Sequence, residues 1–237
     1  MSTHPLRPDP TPSSRLRLKV MPDRSDDKPT KRSLRTERAL LHTHLKDARD
    51  ALVWKVEGLN EEDRRRPMTP TGTNLVGLVK HMTWIEGWYL CEFFDRARPR
   101  LEWEWDVDAD WGHHSHMYAT PEETTDDLIA AYRATTAAAD RSIEDLELDA
   151  VGRHWSGELV SLRSMVLAVL VDTARHAGHS DIMREMIDGR TGDRHSPSPF
   201  YGTADEDYRS AYLARVRGEI DTPGWCDYIK TRGKRWS

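Results

Sequence analysis

The chain has 237 residues, 32% of them charged, and a formal net charge of −5. That length suits one sizeable domain with tails, and no apolar run approaches the roughly 20 residues of a membrane span. The acidic balance speaks against nucleic-acid binding by the surface as a whole, and the N-terminus lacks the apolar core of a secretory signal.

Residues 1–33 hold six of the thirteen prolines and eight Lys or Arg against four Asp, without periodicity. Such a segment buries too little apolar area to offset its chain entropy, so a disordered tail is predicted. From Leu34 to Gly58, Leu41, Leu45, Ala48, Leu52 and Val56 recur at helical spacing, and Gly58 supplies a stop. "NEEDRRRPMTPTGTN" reads as a polar connection. A second helix starts at Thr73 or Asn74 and runs to about Phe94, with stripes Leu78, His81, Ile85, Trp88 and Leu75, Met82, Tyr89.

Between Leu101 and Asp127 there are nine acids and no Lys or Arg. "WEWDVDADW" alternates like a strand but has no evident partner, so a Trp-anchored loop is predicted there. Thr120, Pro121 and Glu123 signal a third helix from Pro121 to about Leu146. "HWSGELVS" reads as a loop. Ser161 caps a fourth helix that ends near Ile187, with Gly189 as the stop. Residues 191–237 form an extension that begins as a linker and carries one short helix at "ADEDYRSAYLARVRG". Four long amphipathic helices and no convincing strand define an all-α four-helix bundle over residues 34–190. The uneven connections imply at least one crossover. The two cysteines, Cys91 and Cys226, are far apart and lack CxxC partners, which points to a reducing, cytoplasmic compartment.

The inward stripe of the fourth helix reads Leu162, Met165, Val169, Asp172, His176, His179, Met183, Met186. Three polar residues interrupt a stripe that is apolar on both sides. Buried Asp and His demand partners. Either they form a structural Asp–His network or they hold a cation, since positions four apart bring side chains within reach of one ion. A catalytic metal site takes three protein ligands and keeps one position open. His81 interrupts an apolar stripe in the second helix and could supply the missing side. The other histidines fall in loops or tails (His4, His113, His114, His116, His154, His195) or in the first helix (His42, His44). The spacing by itself leaves both accounts open.

"TNLVGLVKHMTWIEGWYL", "SLRSMVLAVLVDTARHAGHSDIMREMIDG" and "ERALLHTHLKDARDALVWKVEGL" resemble the DinB-like metalloprotein superfamily. Within it they are similar to an actinobacterial branch related to mycothiol-dependent maleylpyruvate isomerase. The resemblance covers about residues 34–190. It implies a DinB-like bundle with a long loop between helices 2 and 3, and a divalent ion on His81, Asp172 and His176, with His179 as a fourth ligand or a group behind the ligands. Relatives of the isomerase branch carry Glu where this chain has Asp172, one methylene shorter, which leaves open whether Asp172 or His179 completes the site. Zinc is favoured, with nickel or iron as alternatives. The implied partners are a low-molecular-weight thiol of the mycothiol type and a small electrophile, for S-transfer or isomerisation, with Trp84, Trp88 and Arg175 as candidates to line the substrate pocket. No nucleic acid and no membrane is expected, and the protein is a monomer or a homodimer. The alternative is a metal-binding or sensing bundle without turnover.

Overall fold

The computed structural model describes residues 36–101, 115–192, 210, 212–214 and 216. The N-terminal tail, "WEWDVDADW" with Trp103, Trp105 and Trp111, Cys226 and most of the C-terminal extension lie outside the described residues. Ser210, Tyr212, Leu213, Ala214 and Val216 are helical, as predicted for "ADEDYRSAYLARVRG".

In chain order the elements are α1 (Glu37–Trp54), α2 (Glu61–Arg65), α3 (Leu75–Leu90), a 3₁₀ turn Glu92–Phe94, a second 3₁₀ turn Ser115–Met117, α4 (Thr125–Asp145), β1 (Val151–Arg153), β2 (Leu159–Ser161) and α5 (Leu162–Asp188). The four predicted long helices are α1, α3, α4 and α5, and the chain is an all-α bundle. α1 packs on α5 and α4, and α3 packs on α4 and α5. The diagonals are therefore α1 with α3 and α4 with α5, so both of those connections cross the bundle.

Each helix begins where a short polar side chain takes up an orphan N–H. Thr36, Asn60, Asn74, Thr124 and Ser161 accept from the backbone N–H of Ala39, Asp63, Gly77, Asp127 and Ser164 respectively. α5 stops at Gly189, whose φ of 75° only glycine adopts without strain. α1 ends earlier than its apolar spacing suggests. There the buried Arg184 guanidinium donates to the carbonyls of Lys55 (2.8 Å) and Glu57 (2.7 Å) while pairing with Asp188, so a distant side chain satisfies the open helix end.

Four expectations are corrected. The third helix starts at Thr125 under a Thr124 cap, not at Pro121. The Glu123 carboxylate accepts from Thr120 N–H and from the buried Lys80 ammonium, which holds residues 120–124 as a turn against α3. "HWSGELVS" is the turn and second strand of an antiparallel hairpin, with Val151 paired to Ser161 and Arg153 to Leu159. It packs against the 3₁₀ turn because Gly152 has no Cβ; one would lie 2.4 Å from the Phe93 carbonyl oxygen. The polar connection contains the short α2. The fully buried stripe of α5 runs through Leu162, Val166, Val169, Thr173 and Ala177, rotated from the predicted one, and Met186 is exposed.

One buried polar network crosses the core. Arg49 of α1 donates to Glu86 of α3 through Nε (2.8 Å) and a second nitrogen, and to Asp140 of α4 (2.6 Å). Tyr132 donates to Glu86 at 3.2 Å, and His42 meets Asp140 at 2.8 Å. Burial raises the Glu86 carboxyl, and the Arg49 charge opposes that rise.

Candidate metal centre

α3 and α5 are neighbours, and their facing sides bring His81, Asp172 and His176 together. One ligand-type atom from each lies within 4.8 Å of the others. His81 Nε2 stands 3.7 Å from Asp172 Oδ2, and His176 Nε2 stands 3.5 Å from Asp172 Oδ1. These separations are long for hydrogen bonds. The two imidazoles approach different oxygens of the one carboxylate, near enough for a single ion to draw on all three residues. The Nδ1 atoms of both rings are buried and have no hydrogen-bond partner among the described residues. Two imidazoles that lack close partners, facing one carboxylate, make a donor set that fits a dication.

The electrostatics agree with that fit. Burial first, and the His81 charge second, push His176 down to about 4, so its ring is neutral and a competent ligand at pH 7. The facing His81 ring first, with the charges of His176 and Arg175 pulling the same way against burial, holds Asp172 below the usual carboxylate range. The group sits at the edge of the core. The side chains of His81 and His176 are each 13% exposed and that of Asp172 is 28% exposed, which leaves a solvent side open.

His179 does not join the three. It is exposed, its ring centroid 5.5 Å from that of His176. The rotation of the buried stripe explains this, since a residue three beyond His176 turns toward solvent. A different histidine approaches instead. His116, assigned to a loop by the sequence, is buried in the turn Ser115–Met117 with its ring 5.1 Å from His81. The turn lies so close to α3 that a Cβ on Gly77 would fall 1.9 Å from the Met117 carbonyl oxygen. A glycine in the first turn of α3 is the signal in the sequence that something packs there.

An aromatic wall flanks the site. Trp84 packs on His116 (5.9 Å), Trp88 (6.0 Å) and Trp155 (5.6 Å), and Tyr89 and Phe93 continue it. Trp155 sits in the hairpin turn and is 53% exposed. Burial first, and the charge of Asp172 second, raise the Tyr89 hydroxyl. A groove of about 520 Å³ opens between α3 and α5, lined by Ile85, Tyr89, Leu167 and Val171 with Asp172 and Arg175 at its side. Arg175 is 64% exposed and 3.9 Å from Asp172.

The bundle and the residues it gathers define a DinB-like helical protein. A family model described as mycothiol S-transferase matches residues 40–189, and the chain belongs to that family. Comparison with curated proteins gives no match. No helix of the described residues is long and apolar enough to cross a membrane.

Proposed function

We propose that the protein is a metal-dependent, cytoplasmic thiol S-transferase that uses mycothiol, with His81, Asp172 and His176 holding one divalent ion, zinc ahead of nickel or iron. The observation that carries this reading is the meeting of two imidazoles and one carboxylate beside an open groove. A bound dication supplies Lewis acidity that favours thiolate over thiol. The residues do the rest. Neutral His176 and ionised Asp172 are ligand-ready at pH 7. Trp84 and Trp88 stiffen the wall that excludes water, and Tyr89 offers an apolar ring with a hydroxyl at its edge. Arg175 offers a guanidinium at the mouth for an anionic group on either substrate. Transfer forms a carbon–sulfur bond as the electrophile loses its leaving group. If the thiol adds to a double bond and leaves again, the outcome is isomerisation.

The test has two arms. Elemental analysis of protein purified without chelators is expected to find close to one equivalent of zinc, nickel or iron. Mycothiol and a chlorobimane are expected to give the thioether faster than with metal-stripped protein. Metal without thiol consumption across several electrophiles would favour a sensing or storage bundle, and persistent absence of metal would remove both readings.

A further inference from the structure

A histidine that holds a metal ordinarily has its ring fixed by a hydrogen bond from the other ring nitrogen to a carboxylate, a carbonyl or a water. His81 makes no such bond among the described residues. Its Nδ1 is buried and without a partner, while its Nε2 stands 3.7 Å from Asp172. Something else must stop the side chain from rotating, since a ring free to turn would carry Nε2 off the site. The ring that lies against it is His116, with centroids 5.1 Å apart and planes 41° apart. We propose that His116 is a positioning residue, which holds the His81 ring in its ligand orientation by ring contact in place of a hydrogen bond. The inference rests on the reading of His81, Asp172 and His176 as the holders of one ion.

Three observations carry it. Gly77, His81 and Trp84 follow one another at steps of four and three, so they share one face of α3. The turn Ser115–Met117 is seated on the first of them and sets His116 against the other two. Its ring is 5.9 Å from that of Trp84, with planes 35° apart, as well as against His81. The turn is also anchored directly behind His116. Met117 packs on Gly77, and the Lys80 ammonium donates to the Tyr118 carbonyl at 3.1 Å and to the Glu123 carboxylate. His116 and Trp84 are only 7 and 5% exposed, so this stack of rings belongs to the packed interior. Finally, His176 touches the His81 ring edge-on, at 5.0 Å and 81°, but it is a ligand candidate itself. His116 lies outside the group of three, and the contacts that anchor its turn involve none of them. It can therefore serve as a wall that is in place before any ion arrives.

Zinc affinity of the full chain, measured by competition with a chromogenic chelator, and the cobalt(II) absorption spectrum test this. His116→Phe keeps a flat ring and removes both nitrogens, whereas His116→Leu fills much of the same space without a ring. His116→Phe is expected to keep the wild-type affinity and the wild-type cobalt bands. His116→Leu is expected to bind zinc about 10–100-fold more weakly, the loss typical when a group that orients a metal ligand is removed, with shifted cobalt bands. Gly77→Ala leaves every ring in place and displaces the turn. It should weaken zinc binding in the same direction, and it stands in for His116→Leu if that variant does not fold. Circular dichroism of the metal-free proteins checks that folded chains are compared, because a role confined to stability would lower their melting temperatures and leave the affinity of folded protein unmoved. Wild-type affinity in His116→Leu would overturn the proposal and make the turn plain packing. An equal loss in His116→Phe and His116→Leu would overturn it too, since the nitrogens of His116 would then do the work. A wild-type chain that binds neither zinc nor cobalt would remove the metal reading itself, and this inference with it.

Discussion

At the scale of single residues, the site rests on one arrangement: Asp172 and His176 a turn apart on α5, with His81 across on α3. His176→Ala is expected to lose the metal in elemental analysis, and His179→Ala to keep close to a full equivalent, because His179 is exposed and lies outside the group of three. Equal loss in both variants would place His179 among the ligands. In metal-free protein the His176 ring, pushed down to about 4, is expected to titrate well below the ordinary histidine range when followed by NMR. The folded state then holds fewer protons than the unfolded one between about 4 and about 6.5. The stability this group contributes is full above about 6.5 and is lost as pH falls toward 4. Denaturant midpoints of metal-free wild type and His176→Ala, measured across that window, check the sign: the wild type should lose more on acidification. Asp172 and His176 were legible from spacing as polar interruptions of an apolar stripe, and only the family resemblance marked them as ligands. His116 was not, because nothing in "GHHSHMY" says that this histidine turns inward.

At the scale of elements, two glycines place what surrounds the site. Gly77 admits the turn Ser115–Met117 and with it His116; Gly152 seats the hairpin and with it Trp155. Gly77→Ala must move the Met117 carbonyl, since a Cβ cannot stay 1.9 Å from it. The expected cost is about 1–3 kcal/mol, the range for overpacking a tight contact, read as a lower denaturation midpoint. The tryptophan emission from the Trp84 cluster should shift as well. A midpoint and spectrum equal to wild type would show that the turn does not rest on α3. Helix starts were legible where a cap stood alone, as at Ser161, and to within one residue where Thr73 and Asn74 stood side by side. The start of α4 was misread because Thr120 and Thr124 both offer a cap. The choice falls to Lys80, which holds Glu123, 43 residues further on, in the turn.

For the molecule as a whole, the Arg49–Glu86–Asp140 network ties α1, α3 and α4 at the core's centre. Arg49→Met leaves Glu86 buried and unpaired, and removing one partner of such a pair costs about 3–5 kcal/mol. Thermal denaturation should show that loss, with metal content unchanged in whatever folds, because the network touches none of the three ligand candidates. A variant as stable as wild type would mean that Glu86 takes up a proton at little cost. Two partners of the network, Arg49 and Glu86, stand 37 residues apart on different helices, and nothing in the local sequence of either pairs them.

The chain's own order of residues determined what depends on neighbours within a few positions: four long helices, most of their caps, and a polar interruption in two apolar stripes. Periodicity and capping are short-range, so they are written locally. Only the tertiary structure decided the rest. It turned α5 so that Asp172 and His176 face His81 while His179 faces solvent, brought His116 from a distant turn, and folded "HWSGELVS" into a hairpin against Phe93. Those outcomes depend on which helices are neighbours and how far each is rotated. Close packing of the whole core sets both, and no single stretch of sequence contains that information.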